Sequence, residues 1–320
     1  MALKRLTWLE HFPIAMFTIT MGLSGLAMAL RGAEQVFDWA GVLSTAVFGF
    51  TLALFCLFIV FYLIKLSGCV RSVWEEWNNP VQLALFPSMS ISLLLLSALM
   101  LDTWTGLAHV MWMLGMALQG ILTLAVISGW ISSRAFQHGH LSPAWFIPTV
   151  GNVIVSFAGV PLGYLEISWF FISAGLMFWL ILVSLVMNRL IFHDPLPERL
   201  QPTLVVLIAP PALIFLAWVR LIGGIDAFAH ILLNVTYLFV LIVTIQLPKM
   251  LRLTFTLSFW ALSFPIAAAT SASFAYAAAT GSNAHRLIGL GLLLALCVII
   301  GFLVFHTVRA IVSGKLFTPD

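Results

Sequence analysis

Residues 255–276 read FTLSFWALSFPIAAATSASFAY, a run with no charged side chain and with Pro265 at its middle, directly after Phe264. The run is long enough to cross a bilayer, which takes about 20 apolar residues. A proline inside a helix removes one backbone donor and pushes its ring against the carbonyl four residues back, so this helix is predicted to bend or open. In hydrocarbon the freed carbonyl needs a partner. Such a break is tolerated where the backbone is buried in protein or faces a watery cavity. The stretch therefore predicts a crossing turned away from lipid.

The same design recurs along the chain. Ten apolar segments are read, at residues 12–30, 39–64, 81–101, 107–131, 144–162, 167–188, 203–219, 228–247, 254–279 and 287–308. Each odd-numbered segment holds a proline: Pro13, Pro87, Pro148, the pair Pro210 and Pro211, and Pro265. Three of them also begin with proline behind a polar residue, at Asn79-Pro80, Ser142-Pro143 and Gln201-Pro202, where proline suits a first helical position. Segments two, four, six and ten lack proline, and Pro248 stands only at the end of the eighth. A hairpin repeated at a nearly fixed period denotes repeated architecture. The predicted fold is an all-α membrane protein of ten transmembrane helices, arranged as five helical hairpins in quasi-fivefold order around a central pore. The odd helices are expected inside and the even ones outside, with residues 1–320 forming a single transmembrane domain.

Composition agrees. With 62% hydrophobic and 8% charged residues, the chain falls far from a soluble domain, which is about half apolar and a quarter charged. Lys4, Arg5 and Ala27-Met28-Ala29 resemble parts of a signal peptide, but the apolar run is too long and belongs to the repeat, so an uncleaved first helix is expected. Cys56, Cys69 and Cys297 show no metal spacing, and the first and last of them read as lipid-depth packing residues.

Basic residues give the orientation. Eleven fall on one side, Lys4, Arg5, Lys65, Arg71, Arg134, Arg189, Arg199, Lys249, Arg252, Arg309 and Lys315, against Arg31, Arg220 and Arg286 on the other. Both termini are therefore expected in the cytoplasm, in a multi-pass protein of the inner (cytoplasmic) membrane. Charge so distributed is a topology signal and predicts no nucleic-acid partner. Glu34, Asp38, Asp102, Glu166 and Asp226 read as solvated loop charges on the outer side, and Glu75, Glu76, Asp194 and Glu198 on the inner.

The odd segments carry polar but uncharged residues: Thr18, Thr20, Ser88, Ser90, Ser92, Thr149, Asn152, Ser156, Ser263, Thr270 and Ser271. Close helix packing uses the same residue types, yet their concentration in odd segments points to a path. Intramembrane acids or bases, the usual parts of proton relays, are missing from the central depth of these segments. That argues for passive conduction with weak binding. Phenylalanine precedes proline at Phe12-Pro13, Phe86-Pro87 and Phe264-Pro265, where a ring beside a bend can close a path by steric and dewetting effects. The candidate lining residues are Pro13, Thr18, Pro87, Ser88, Pro148, Asn152, Pro210, Pro211 and Pro265.

The stretches NPVQLALFPSMS from Asn79, SPAWFIPTVGNVIVSFAG from Ser142, LQPTLVVLIAPPALIFLAW from Leu200 and FTLSFWALSFPIAAA from Phe255 resemble the tellurite-resistance/dicarboxylate transporter family. That family includes bacterial TehA-type proteins and the plant guard-cell slow anion channels. The resemblance implies a homotrimer with one pore per protomer, conduction of small inorganic or organic anions, and an occluding phenylalanine on the ninth helix, matched here by Phe264. Regulation through the long cytoplasmic tails of the plant channels is not expected to carry over, and Ile-Ala-Met-Phe follows Pro13 where the family has a Gly-rich start.

The leading expectation is a passive anion channel. The alternative is a secondary carrier or exporter for C4-dicarboxylates, sulfite or tellurite-type oxyanions. A third class, an enzyme or haem protein using His109, His230 and His306, lacks convergent ligands in the sequence pattern. No carboxylate pair suits acid/base catalysis and no phosphate-binding loop is present, so no enzyme activity, cofactor or metal is expected.

Overall fold

The five crossings marked by Pro13, Pro87, Pro148, Pro210–Pro211 and Pro265 are each entered through a 3₁₀ turn that passes into α-helix. This is seen in a computed structural model that describes residues 7–132, 141–250 and 252–314. The helices are α1 (Thr7–Glu10), α2 (Phe17–Phe37), α3 (Val42–Gly68), α4 (Val70–Asn78), α5 (Pro87–Met100), α6 (Thr105–Ser132), α7 (Phe146–Val150), α8 (Val155–Gly159), α9 (Leu165–Phe192), α10 (Ala209–Ile222), α11 (Ala227–Met250), α12 (Ser263–Thr280) and α13 (Asn283–Val312). The 3₁₀ turns Ile14–Met16, Leu83–Leu85, Glu198–Ile208 and Leu257–Leu262 lead into α2, α5, α10 and α12. The fifth segment alternates, with 3₁₀ turns at Pro143–Trp145 and Gly151–Ile154 around α7.

The physical reason is local. The first turn of an α-helix has no use for its N–H groups, so proline fits there and fixes the start. Pro87 opens α5, Pro210 and Pro211 stand in the first turn of α10, and Pro265 is the third residue of α12. The expected mid-helix bends are thus changes of helix type at element starts. Gln201-Pro202 departs from its expected place as well, because the 3₁₀ run begins at Glu198 and holds Pro202 in its interior.

Among the described residues, nine helical spans are long and apolar enough to cross a membrane, and Pro143–Gly159 is a shorter apolar one. The spans around α2, α5, α10 and α12 have 72–83% of their most apolar stretch buried, whereas those around α3, α6, α9, α11 and α13 have 28–39%, α11 holding Pro248 in its last turn. Residues 142–159 are buried without exception. The elements that follow Pro13 or hold Pro87, Pro148, Pro210, Pro211 and Pro265 are therefore inside, and the others offer leucine, phenylalanine and valine outward. Among the inner elements α2 packs on α5 and α12, α12 on α10, and the fifth segment lies between α5 and α10.

The broken fifth segment is sustained by polar side chains of α6. Gln119 Nε2 and Thr123 Oγ1 donate to the Pro148 carbonyl at 3.2 and 2.7 Å, and Trp112 Nε1 donates to Val155 O at 2.8 Å. Gly175 lets α9 approach on the other side, since a Cβ there would stand 2.4 Å from Val153 Cγ2. These contacts are the neighbouring-helix partners that a non-α backbone at membrane depth requires.

The start of α2 is held by charge. Lys65 Nζ donates to Phe12 O (2.9 Å) and pairs with Glu76 Oε1 (3.0 Å). Glu76 in turn accepts from Ile14 N (3.2 Å) and Tyr62 Oη (3.0 Å). Glu76 is thus a buried anchor rather than a solvated loop charge. Glu34 differs from expectation too: α2 runs on to Phe37, and Glu34 lies buried in it, accepting from Ser44 N at 2.9 Å. Asp226 is a cap, holding Ala229 N (2.8 Å) and Trp218 Nε1 (3.1 Å), and the Ala229 N–H keeps its carboxyl below the usual range. Of the basic residues used for orientation, Lys4, Arg5, Arg134 and Lys315 lie outside the described residues. Lys65, Arg189, Lys249 and Arg309 sit in the last turns of α3, α9, α11 and α13.

Two stability outcomes follow. Thr123→Val, which strips a donor from the Pro148 carbonyl, should destabilise the detergent-purified protein by about 1–3 kcal/mol, read as a lower Tm with helicity unchanged. Glu76→Ala should cost about 3–5 kcal/mol by stranding Lys65, and the double variant Lys65→Met/Glu76→Leu should melt above the single one.

Candidate functional site

Three cavities follow one another along α2. At the end of the bundle where Glu10 and Ala310 meet, here the proximal end, lies a vestibule of about 770 Å³. Its wall includes His11, Pro13, Lys65, Glu75, Glu76 and Arg199. Deeper is a central cavity of about 100 Å³, and beyond it, at the distal end, a chamber of about 150 Å³.

The central cavity is lined near the junctions where 3₁₀ turns become α-helix: Ala15, Leu85, Val150 and Gly151, Ala209 and Pro210, and Phe264 and Pro265. Its wall is almost wholly apolar. The polar members Thr18, Thr203 and Ser258 each donate their hydroxyl hydrogen to a main-chain carbonyl, of Ala15, Leu200 and Arg199, at 2.6, 2.6 and 2.7 Å. A hydroxyl committed in this way turns lone pairs, not a donor, toward an anion. The cavity therefore offers an anion no free hydroxyl donor.

Phe264, Pro265, Pro210 and Thr18 line this cavity, and Pro13 lines the proximal vestibule. Pro87, Pro148, Pro211, Ser88 and Asn152 stand behind these surfaces. Ser88 Oγ donates to Leu85 O at 2.6 Å, and Asn152 is held between Thr149 O (2.8 Å) and Thr123 Oγ1 (3.0 Å). Thr20 and Ser92 join α2 to α5 by a 2.9 Å hydroxyl contact. Most of the polar residues singled out from the sequence thus satisfy backbone or join helices, because a hydroxyl at membrane depth finds the nearest carbonyl.

The three Phe-Pro pairs separate clearly. Phe12 packs edge-on against Phe58 and Phe61 at 5.6 and 5.7 Å, and Phe86 against Trp77 at 5.0 Å. Both belong to aromatic clusters. The Phe264 ring instead borders the cavity and lies against α2 at Gly25, where a Cβ would stand 3.0 Å from its Cδ2. Glycine at 25 therefore makes room for the ring.

The central cavity shares Val81, Leu200, Leu257 and Ser258 with the proximal vestibule and no wall residue with the distal chamber. From Met21 to Met28 on α2 and from Ile91 to Ala98 on α5, the separating layer is about 10 Å thick. Phe264 stands at its proximal face. Within it Ser24 Oγ is buried and has no hydrogen-bond partner among the described residues. The distal chamber brings Arg31 and Arg220 together with Gln35 and Ser271. Placing both arginines in loops misses this pairing: the helices run on past the apolar segments, and only their continuation turns the two side chains inward.

His109 bonds Tyr164 Oη at 2.9 Å, His230 packs on Tyr276 at 5.5 Å, and His306 lies against Phe302 at 4.3 Å. Among the described residues, three or more metal-ligating side chains nowhere converge.

The profile described as SLAC1, voltage-dependent anion channel, matches residues 11–308. The S-type anion channel SLAH3 of Arabidopsis thaliana is 25% identical over 99% of this chain, which spans only 51% of that protein. A transporter of Methanocaldococcus jannaschii is 22% identical over 97% of this chain and 98% of its own. The tellurite resistance protein TehA homolog of Haemophilus influenzae is 24% identical over 95% of this chain and 92% of its own.

If the Phe264 layer separates the two sides, a cysteine placed at Thr18 in a variant lacking Cys56, Cys69 and Cys297 should react slowly with a charged thiol reagent added from the distal side. Adding Phe264→Ala should raise that rate severalfold, measured by labelling of reconstituted vesicles.

Proposed function

Since the chain belongs to the SLAC1 voltage-dependent anion channel family, a family of channels and transporters with plant S-type anion channels among its relatives, we propose that it is a passive anion channel. Ten crossings form five hairpins around one path, in a single transmembrane unit. The path runs through the proximal vestibule, the central cavity and the distal chamber, and the Phe264 ring closes it. The inner elements' cyclic packing, α2 to α5 to the fifth segment to α10 to α12 and back, supports the ring. The observation that supports the reading is that a cavity bordered by Phe264 shares no wall residue with the distal chamber, while charged side chains line the cavities at both ends.

A passing ion must leave as readily as it enters. An apolar cavity whose hydroxyl hydrogens are already taken holds an anion weakly, as conduction needs. Closure by an aromatic ring next to small apolar walls acts by steric block and dewetting, so a modest rotation of one side chain suffices. Lining residues are then Thr18, Pro210 and Pro265 at the cavity and Pro13 at its approach, while Pro87, Pro148 and Pro211 shape the wall from behind with Ser88 and Asn152.

This is a multi-pass membrane protein by its apolar spans and family. We place it in the cytoplasmic membrane with the proximal end inward, which the basic last turns of α3, α9, α11 and α13 support. Assembly is as a homotrimer through outer helices, each protomer keeping its own path. The second reading is a carrier for C4-dicarboxylate, sulfite or tellurite-type oxyanions. The observation favouring it is asymmetry: the central cavity adjoins one vestibule and is sealed from the other, as in an alternating-access cycle.

Purified protein in planar bilayers should pass small chloride and nitrate currents, and Phe264→Ala should enlarge them severalfold, with reversal potentials in asymmetric salt following the anion. Absence of current from both proteins would refute the channel. Trans-stimulated counterflow of a dicarboxylate in liposomes would establish the carrier instead.

A further inference from the structure

Two arginines toward the distal ends of α2 and α10, Arg31 half-buried and Arg220 exposed, need an account that closure by Phe264 does not give. Arg31 lies within the span Ile14–Phe37 and Arg220 within Glu198–Ile222, and both line the distal chamber. Ionisable side chains so placed face a watery cavity and mark an ion path more often than they mark packing. Each is fixed by one main-chain bond. Arg31 Nη2 donates to Leu99 O at 2.7 Å, in the last turn of α5, and Arg220 Nη1 donates to Phe157 O at 2.9 Å, in α8. The Arg220 guanidinium also lies 4.7 Å over the Phe157 ring.

Capping of helix ends explains these bonds but leaves most of the donors unused. A guanidinium has five N–H donors. Among the described residues, Arg220 has no carboxylate partner. Arg31 meets only Asp102, at 3.6 Å, a carboxylate that is 85% exposed. Of the other acids nearby along the chain, Glu34 faces α3, its Oε1 accepting from Ser44 N and its Oε2 buried without a hydrogen-bond partner among the described residues, and Asp226 holds Trp218 and Ala229. The chamber thus carries two held cations against one solvated anion, in a space of about 150 Å³ that also has the Gln35 amide and the Ser271 hydroxyl in its wall.

We propose that the distal chamber is a binding site for one small monovalent anion, a halide or a planar oxyanion such as nitrate, held between the Arg31 and Arg220 guanidiniums. Planar forked donors match a planar oxyanion, and weakly hydrated guanidinium gives up its water readily. Fixing both forks on backbone carbonyls preorganises them and lowers the entropy cost of holding the ion. On the permeation reading given above, this site concentrates anions at the distal mouth of the closed layer. Binding itself is measured without any current, so the two can fail separately.

The test is X-ray anomalous scattering from crystals of the full chain soaked in concentrated sodium bromide. A bromide peak in contact with both guanidiniums is expected, lost in Arg31→Gln/Arg220→Gln and kept in Arg31→Lys/Arg220→Lys, which retains both charges. No peak in the parent protein, a peak undiminished in the glutamine variant, or loss of the peak from the lysine variant would each overturn the site. Should the double glutamine variant not fold, Arg220→Gln alone is expected to lower the peak severalfold, and unchanged occupancy there would overturn it. A peak in a protein that passes no anion current would leave the site standing and remove the channel.

Discussion

A backbone that leaves the α-helix in hydrocarbon must be hidden from lipid, and the rest of this structure depends on that constraint. Five elements break the α pattern at proline, and each break leaves carbonyls that bilayer tails cannot satisfy. The straight helices α3, α6, α9, α11 and α13 enclose them, and α6 goes further by lending Gln119, Thr123 and Trp112 to the carbonyls of the most broken segment. Interior and exterior are therefore sorted by backbone regularity as much as by side-chain polarity.

The same sorting produces the cavities. Helix starts that change type do not pack along their whole length, and the space left at the junctions is the apolar central cavity. Charge is kept to the two ends. At the proximal end Lys65 and Glu76 neutralise one another while pinning the chain around Pro13, so that vestibule has no large excess of either sign. At the distal end the two arginines lack such a partner pair, and the field there is positive. Between the ends stands an uncharged layer with Phe264 against Gly25.

Side chains with the same sequence neighbourhood take different roles because of what faces them. Phe12, Phe86 and Phe264 all precede proline, yet the first two meet rings from α3 and α4, and only the third meets a glycine on α2. Thr20 and Ser24 are one turn apart on α2. Thr20 finds Ser92 on α5, and Ser24 finds nothing among the described residues.

The sequence alone determined the membrane class, the inward position of the proline-bearing segments and the family resemblance. Those rest on composition, on the chemistry of a missing N–H and on local motifs, all of which are written residue by residue. It also singled out Phe264, through a resemblance rather than through physics. Tertiary structure decided that the breaks are 3₁₀ starts, that Glu76 and Glu34 are buried, that most hydroxyls serve backbone, and that Arg31 and Arg220 share one chamber. The physical reason is that a hydrogen-bond partner and a cavity wall are both contributed by other helices. Arg31 and Arg220 are 189 residues apart along the chain, and no local pattern states that both line one chamber.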